Sequence, residues 1–173
     1  MRRIFLIGYM GAGKTTIGKD LSKRLGLSFI DLDCYIEGRY LKTVGQLFAE
    51  KGEDAFRKIE RNMLQEVSMF EDVLISTGGG TPCFFENMEF MNRNGKTVYL
   101  RVSVDELVKR LELCKHTRPV LKGHSGKELK DFVAESLSKR SPFYEQASVV
   151  FDAEVMLTDS DVQTISAALE KIL

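Results

Sequence analysis

Lys14 and Thr15 close the run Gly8-Tyr9-Met10-Gly11-Ala12-Gly13-Lys14-Thr15, which satisfies every fixed position of the phosphate-binding pattern G-x-x-x-x-G-K-[ST]. Each residue type answers a chemical need. The glycines let the main chain wrap closely around phosphate oxygens, where a Cβ would stand in the way. Successive N–H groups then form an anion nest, and the N-terminus of the following helix adds partial positive charge. The Lys14 ammonium reaches β- and γ-phosphates, and the Thr15 hydroxyl is a ligand for Mg²⁺. A chance glycine-rich turn would need neither a strand before it nor a helix after it, and the sequence supplies both.

Four further groups of residues carry possible chemistry. Asp31-Leu32-Asp33 places two carboxylates at period two, on one side of an extended segment. Next to the phosphate loop, one of them holds a metal through water and the other accepts a proton from a substrate hydroxyl. The competing reading makes Asp33 the N-cap of a helix starting at Cys34. Gly78-Gly79-Gly80 follows an apolar run and offers bare N–H groups and a surface without side chains, suited to a flat ring or an anion. The alternative is a flexible strand-to-helix turn. Arg57 and Glu60 stand at i and i+3. Such spacing ordinarily gives a surface ion pair; its functional reading is a planar fork for a carboxylate, oriented by its acidic neighbour. Arg118-Pro119, in a polar stretch, and Arg140 are open in the same way: an arginine brought to the phosphates neutralises transition-state charge. His116 and His124 read as solvated loop residues.

These groups need a frame. The run 2–8 reads as a short buried strand, followed by an amphipathic helix with Ile17, Leu21 and Leu25 on one face and Gly26 as its stop. Residues 28–32 form a second strand. From 34 to 70 the pattern is helical, with breaks at 41–43 and at Gly52, and Thr43 with Gln46 makes a capping box. Residues 73–77 form a continuous apolar strand ending in the glycine triplet. A short helix over 86–93, a strand over 97–102, a helix over 104–113, a polar loop over 115–126, a helix over 127–144, a strand over 148–152 and a helix over 160–173 complete the chain. Alternation with nearly all-apolar strands predicts a parallel sheet with helices on both faces, and ligands in such sheets bind beyond the carboxyl ends of the strands. The phosphate loop, Asp31 with Asp33, and Gly78 to Gly80 all fall at predicted strand ends.

Composition narrows the partners. The chain has 173 residues, enough for one domain with a sizeable core. Lys plus Arg and Asp plus Glu balance at 25 each, so neither nucleic acid nor an anionic membrane surface is an expected partner. No apolar run approaches the ~20 residues of a membrane span. The first strand starts at once, leaving no room for a signal peptide. Cys34, Cys83 and Cys114 fit neither a zinc pattern nor a disulfide framework, which points to reduced thiols and a cytoplasmic protein. A monomer is expected.

Taken in order, Gly-x-Met-Gly-x-Gly-Lys-Thr from Gly8, Asp31-x-Asp33, Phe56-Arg57-x-x-Glu60, Gly78-Gly79-Gly80, Arg118-Pro119 and Arg140-x-x-x-Tyr144 resemble shikimate kinase along essentially the whole chain. The phosphate loop alone marks only a nucleotide-phosphate binder; the ordered set is far more specific. The resemblance implies the α/β, three-layer fold of nucleoside monophosphate kinases, a five-stranded parallel sheet in order 2-3-1-4-5. It implies a substrate-binding subdomain over about 33–60 and a lid over about 113–126. The implied reaction is ATP-dependent phosphorylation of the shikimate 3-hydroxyl, a step of aromatic amino-acid biosynthesis, with ATP as co-substrate and Mg²⁺ as metal. Gly11, Ala12, Gly13, Lys14, Thr15 and Thr16 are then the nucleotide-phosphate site. Thr15 ligates Mg²⁺, Asp31 assists it through water, and Asp33 bonds the reacting hydroxyl and serves as base. Arg57 and Arg140 grip the substrate carboxylate, with Gly78, Gly79 and Gly80 lining the site and Glu60 supporting it. Arg118 reaches the phosphates from the lid, and Arg110 packs on adenine. The chain departs from the family at one point: an arginine often placed in the loop after the fifth strand is missing from 152–159. A gluconate or nucleoside monophosphate kinase is the nearest rival, and a nucleotide-switch module a more distant one, in which the paired carboxylates and the arginines have no task.

Overall fold

The computed structural model describes residues 2–113, 126–155 and 158–173. In chain order these form β1 (Arg3–Ile7), α1 (Lys14–Leu25), β2 (Ser28–Asp31), α2 (Leu32–Tyr40), α3 (Val44–Val67), β3 (Val73–Ser76), a 3₁₀ turn (Thr81–Cys83), α4 (Asn87–Asn94), β4 (Lys96–Arg101), α5 (Val104–Leu113), α6 (Gly126–Tyr144), β5 (Val149–Asp152) and α7 (Asp159–Ile172). Each strand rises into a connection that returns to run parallel, so one sheet forms in the order β2-β3-β1-β4-β5. This is the predicted topology, with helices on both faces.

The sheet is buried where it carries the site. Every residue of β3 and the last four of β1 are buried, which is why these strands read as unbroken apolar runs. Register aligns their carboxyl ends: Asp31 pairs with Ser76, and Ser76 with Leu6. Gly8, Asp31 and Thr77 therefore leave neighbouring strands at one edge, the edge where the strand order reverses around β1. Helix α1 lies against β2, β3 and β1 and packs along α7. Gly18 permits this approach, since a Cβ there would stand 2.5 Å from the Phe29 ring.

Local signals act as the sequence led one to expect. Gly26 takes a left-handed conformation and stops α1. The Thr43–Gln46 capping box opens α3. Gly52, at φ 78 and ψ 171, breaks α3 into two segments that meet at a kink. The competing reading of Asp33 as a helix cap does not hold. Asp31, not Asp33, is the N-cap, and its Oδ1 accepts from the Cys34 N–H at 3.3 Å. Leu32 already belongs to the helix, so Asp31 and Asp33 are not alternate residues of one strand. Among the described residues no helix is long and apolar enough to cross a membrane.

Candidate active site

The loop between β1 and α1 is built as an anion cradle. Gly11 and Gly13 adopt φ of 84° and 91°, in the left-handed region that favours glycine. Gly13 is the N-cap of α1 and supplies no side-chain partner to the first helical N–H groups. The Lys14 ammonium lies back over the loop and donates to the Gly8 and Tyr9 carbonyls at 2.8 and 3.0 Å. Ala12 is fully buried, and its N–H closes the turn onto the Tyr9 carbonyl. Thr15 and Thr16 are exposed on the first turn of the helix.

A cavity of about 390 Å³ opens over this loop, within the range of small-molecule sites. Gly11, Gly13, Lys14, Thr15 and Thr16 line one side, and Asp31, Asp33, Gly78 and Gly79 the other. The Thr15 hydroxyl donates to Asp31 Oδ2 at 2.7 Å. Asp31 thus caps α2 with one oxygen and faces the phosphate loop with the other. Asp33, in the first turn of α2, is held in a different environment. Burial, then the negative charges of Asp31 and Glu60, push its carboxyl up to about 6, against a smaller opposing pull from Lys14. The two carboxylates thus stand in different environments, Asp31 beside the Thr15 hydroxyl and Asp33 buried with a raised pKa, as a group suited to general-base work would be.

Arg57, Glu60, Gly80 and Arg140 do not line that cavity; they gather beside it, around the same glycine triplet. None of the three glycines has a positive φ, so backbone freedom does not explain them. Space does. A Cβ at Gly78 would meet Glu60 Oε1 at 3.0 Å and Asp33 Oδ1 at 3.1 Å. One at Gly79 would meet Arg140 Nη1 at 3.4 Å, and one at Gly80 would meet both terminal nitrogens of Arg57 at 2.7 Å. The triplet is the hub on which four charged side chains converge.

Arg57 is no surface ion-pair residue. It is 8% exposed and Glu60 is 1% exposed, joined through Nη1 and Oε2 at 2.9 Å. The guanidinium stacks over Phe84 at 4.2 Å from the ring centroid, with Phe48 and Phe56 at 5.4 and 5.6 Å. Its Nε and Nη2 face Glu53, whose side chain is 58% exposed. Arg140 reaches the same triplet from α6, its guanidinium 5.4 Å from the Tyr9 ring centroid. One turn later the buried Tyr144 hydroxyl donates to the Gly79 carbonyl. The charges of Arg140 and Arg57 pull the Cys83 thiol down, yet burial dominates and pushes it up to about 11, so it stays protonated.

Arg110 lines the cavity's far side. Its Nε pairs with Glu106 at 2.9 Å, Nη1 donates to Gly11 O at 3.4 Å, and Nη2 donates to the Ala153 and Glu154 carbonyls at 2.9 Å each. An arginine therefore does meet the loop after β5, but it comes from α5 and not from the loop itself. Arg118 and nearly all of the expected lid lie outside the described residues. Thr81, Phe84, Asn87 and Tyr144 at the site were not singled out for chemistry by their spacing; only Tyr144 belongs to a motif.

A phosphate loop opening the helix after β1, at the reversal point of a five-stranded 2-3-1-4-5 parallel sheet, defines a P-loop kinase. The comparisons narrow the class. A family model described as shikimate kinase matches residues 10–170. A shikimate kinase of Parabacteroides distasonis is 75% identical over 173 residues, all of both chains. The crystal structure of shikimate kinase from Bacteroides thetaiotaomicron superposes with a TM-score of 0.96 at 54% identity, covering 99% of this chain and 97% of that one. Shikimate kinase from Acinetobacter baumannii, solved in complex with shikimate, gives 0.85 at 29% identity, with 99% and 92% covered. The chain belongs to the shikimate kinase family.

Proposed function

We propose that the cleft transfers the γ-phosphoryl group of ATP to the 3-hydroxyl of shikimate, giving shikimate 3-phosphate and ADP. The observation that carries this reading is the convergence on Gly78–Gly80. Asp33 and Glu60 both meet Gly78, Arg140 meets Gly79 beside the phosphate loop, and Arg57 meets Gly80. A small acceptor lying along the triplet presents a hydroxyl to Asp33 and a carboxylate to the arginines. Family membership supports the same substrate, and ATP is the family's co-substrate.

Lys14 and the N–H groups at the start of α1 hold the phosphates and take up charge that develops on the γ-phosphoryl oxygens. The acceptor hydroxyl gives its proton to Asp33 as its oxygen attacks phosphorus, and ADP leaves in line. Arg57 and Arg140 bind the carboxylate. At Arg57 the substrate competes with Glu53, a solvent-screened partner, while the buried Glu60 contact holds the fork in place. The N–H groups of Gly79 and Gly80 add donors. Arg110 supports the adenine end, and Arg118 together with the lid over about 113–126 is assigned on family resemblance alone. The substrate subdomain spans about 33–60.

The residues present suit Mg²⁺. A Thr15 hydroxyl and an Asp31 carboxylate at 2.7 Å form an all-oxygen donor pair. Mg²⁺ keeps several waters and needs few protein ligands beside phosphates. Among the described residues no cluster of three or more His, Cys, Asp or Glu forms a closed metal cage. When bound, the ion neutralises phosphate charge. A cytoplasmic monomer remains part of this reading.

The test is ADP release with ATP and Mg²⁺ against shikimate, gluconate and nucleoside monophosphates. Shikimate alone should give rapid turnover; equal or faster turnover with another acceptor overturns the assignment.

A further inference from the structure

Beyond the Arg57–Glu60 motif runs a chain of buried polar contacts whose further members, Thr81 and Asn87, belong to none of the motifs. Asn87, the first residue of α4, donates its Nδ2 hydrogen to the Thr81 carbonyl at 2.9 Å. The Thr81 hydroxyl donates to Glu60 Oε1 at 2.5 Å. Glu60 Oε2 accepts from Arg57 Nη1 at 2.9 Å. Asn87, Thr81 and Glu60 are all 2% exposed or less, so water cannot replace a missing partner in this chain.

The segment between the ends of this relay is held with some force. The Asn87 N–H also donates to the Phe84 carbonyl at 2.9 Å. Phe85 and Glu86 both take positive φ, at 49° and 59°, a conformation unfavourable for residues with a Cβ. The turn they make presents Phe84 to Arg57 and Phe85 to Arg61. Thr81 therefore acts on Arg57 through Glu60, and its own segment acts through the Phe84 ring.

We propose that Thr81 is a positioning residue for recognition of the substrate carboxylate. Its hydroxyl occupies one oxygen of Glu60 and leaves the other aimed at Arg57. Glu60 left without that donor would turn to find another, and the Arg57 fork would turn with it. The role is in binding the acceptor's anion and not in handling the phosphates, although Thr81, Glu60 and Asp33 all border Gly78. It rests on the reading that Arg57 binds the substrate carboxylate.

The test compares Thr81→Val, which keeps the shape and removes the hydroxyl, with Thr81→Ser, which keeps the hydroxyl. Acceptors are shikimate and its analogue with the carboxylate reduced to an alcohol. In Thr81→Val the KM for shikimate should rise roughly tenfold or more, the scale of a hydrogen bond to a buried charge. The KM for ATP should stay within about twofold and kcat should fall less than KM rises. The preference for shikimate over the alcohol should shrink by the same factor as kcat/KM, which general damage to the fold would not do. Thr81→Ser should recover most of the loss. Wild-type preference in a folded Thr81→Val protein overturns the proposal. So does a failure of both Thr81→Val and Thr81→Ala to fold, which makes Thr81 a stability residue. A wild-type protein indifferent to the carboxylate overturns the Arg57 reading itself, and the role of Thr81 with it.

Discussion

The α-carbon of Gly80 sits so close to Arg57 that a methyl group there would lie 2.7 Å from both terminal guanidinium nitrogens. Gly80 has φ −88 and ψ −20, an ordinary right-handed conformation open to any residue. The reason for glycine is therefore the arginine. Gly80→Ala should leave folding nearly intact and push the fork out of line. The expected result is a fall of tenfold or more in kcat/KM for shikimate with ATP affinity unchanged, since a misplaced charged hydrogen bond costs ~1.5–3 kcal/mol. Steady-state kinetics with each substrate varied in turn checks it; an unchanged KM for shikimate would show that the fork is not used.

Lys14 is tied to the Gly8 and Tyr9 carbonyls and is not part of the apolar core. Lys14→Ala should keep the fold, by circular dichroism and a cooperative melt. It should lower turnover by ~10²–10³ or more, as loss of a group aimed at developing charge does. Near-normal turnover in the folded variant would remove the phosphate loop from the mechanism.

Much of this site could be read from the chain before its structure was known, and the failures have physical causes. The strand–loop–helix context of Lys14 is local, as is the Thr43–Gln46 box, so both were legible. The i, i+3 spacing of Arg57 and Glu60 tells which residues share a helix face but not what covers that face. Burial comes from Phe84 and from the glycine triplet, elements far away in sequence. The expected strand runs one residue too long, through residue 32, and the cap at Asp31 goes unseen, because the strand ends in the residue that caps the helix, leaving no loop between them. Thr81 carries no signal at all: a threonine before proline reads as a turn, and its partner Glu60 is identified only by the fold.

Arg57 and Arg140 reach the glycine triplet from α3 and α6, and they should act together on one carboxylate. Replacing either by Ala should lower kcat/KM for shikimate by ~10- to 10³-fold. Arg57→Lys should rescue poorly, because an ammonium supplies neither the bidentate fork nor the planar face that stacks on Phe84. Basal ATP hydrolysis should change far less. A double variant measured against both singles shows the coupling; strictly additive losses would mean that the two arginines serve different ligands.

Asp33 joins the chemistry to a measurable cost in stability. Its carboxyl is raised from an ordinary 3.8 to about 6, first by burial and then by Asp31 and Glu60. The unfolded chain releases this proton more readily than the folded one. The contribution is therefore fully present below about pH 4 and is lost as pH rises through about 6, amounting to on the order of 1–3 kcal/mol. Asp33→Asn is neutral at every pH. In the metal-free protein, kept so with chelator, the variant should match or exceed wild-type stability at pH 8, and the difference should shrink toward pH 4. The same substitution removes the proposed base. With Mg²⁺ and both substrates present, kcat should drop ~10²–10⁴-fold while ATP binding holds. Helix capping predicts the opposite pair of results, a less stable variant with intact kcat, and the contact from the Cys34 N–H to Asp31 explains why that outcome is not expected. Denaturant titrations across this pH range, paired with turnover at a single pH, separate the two roles in one variant.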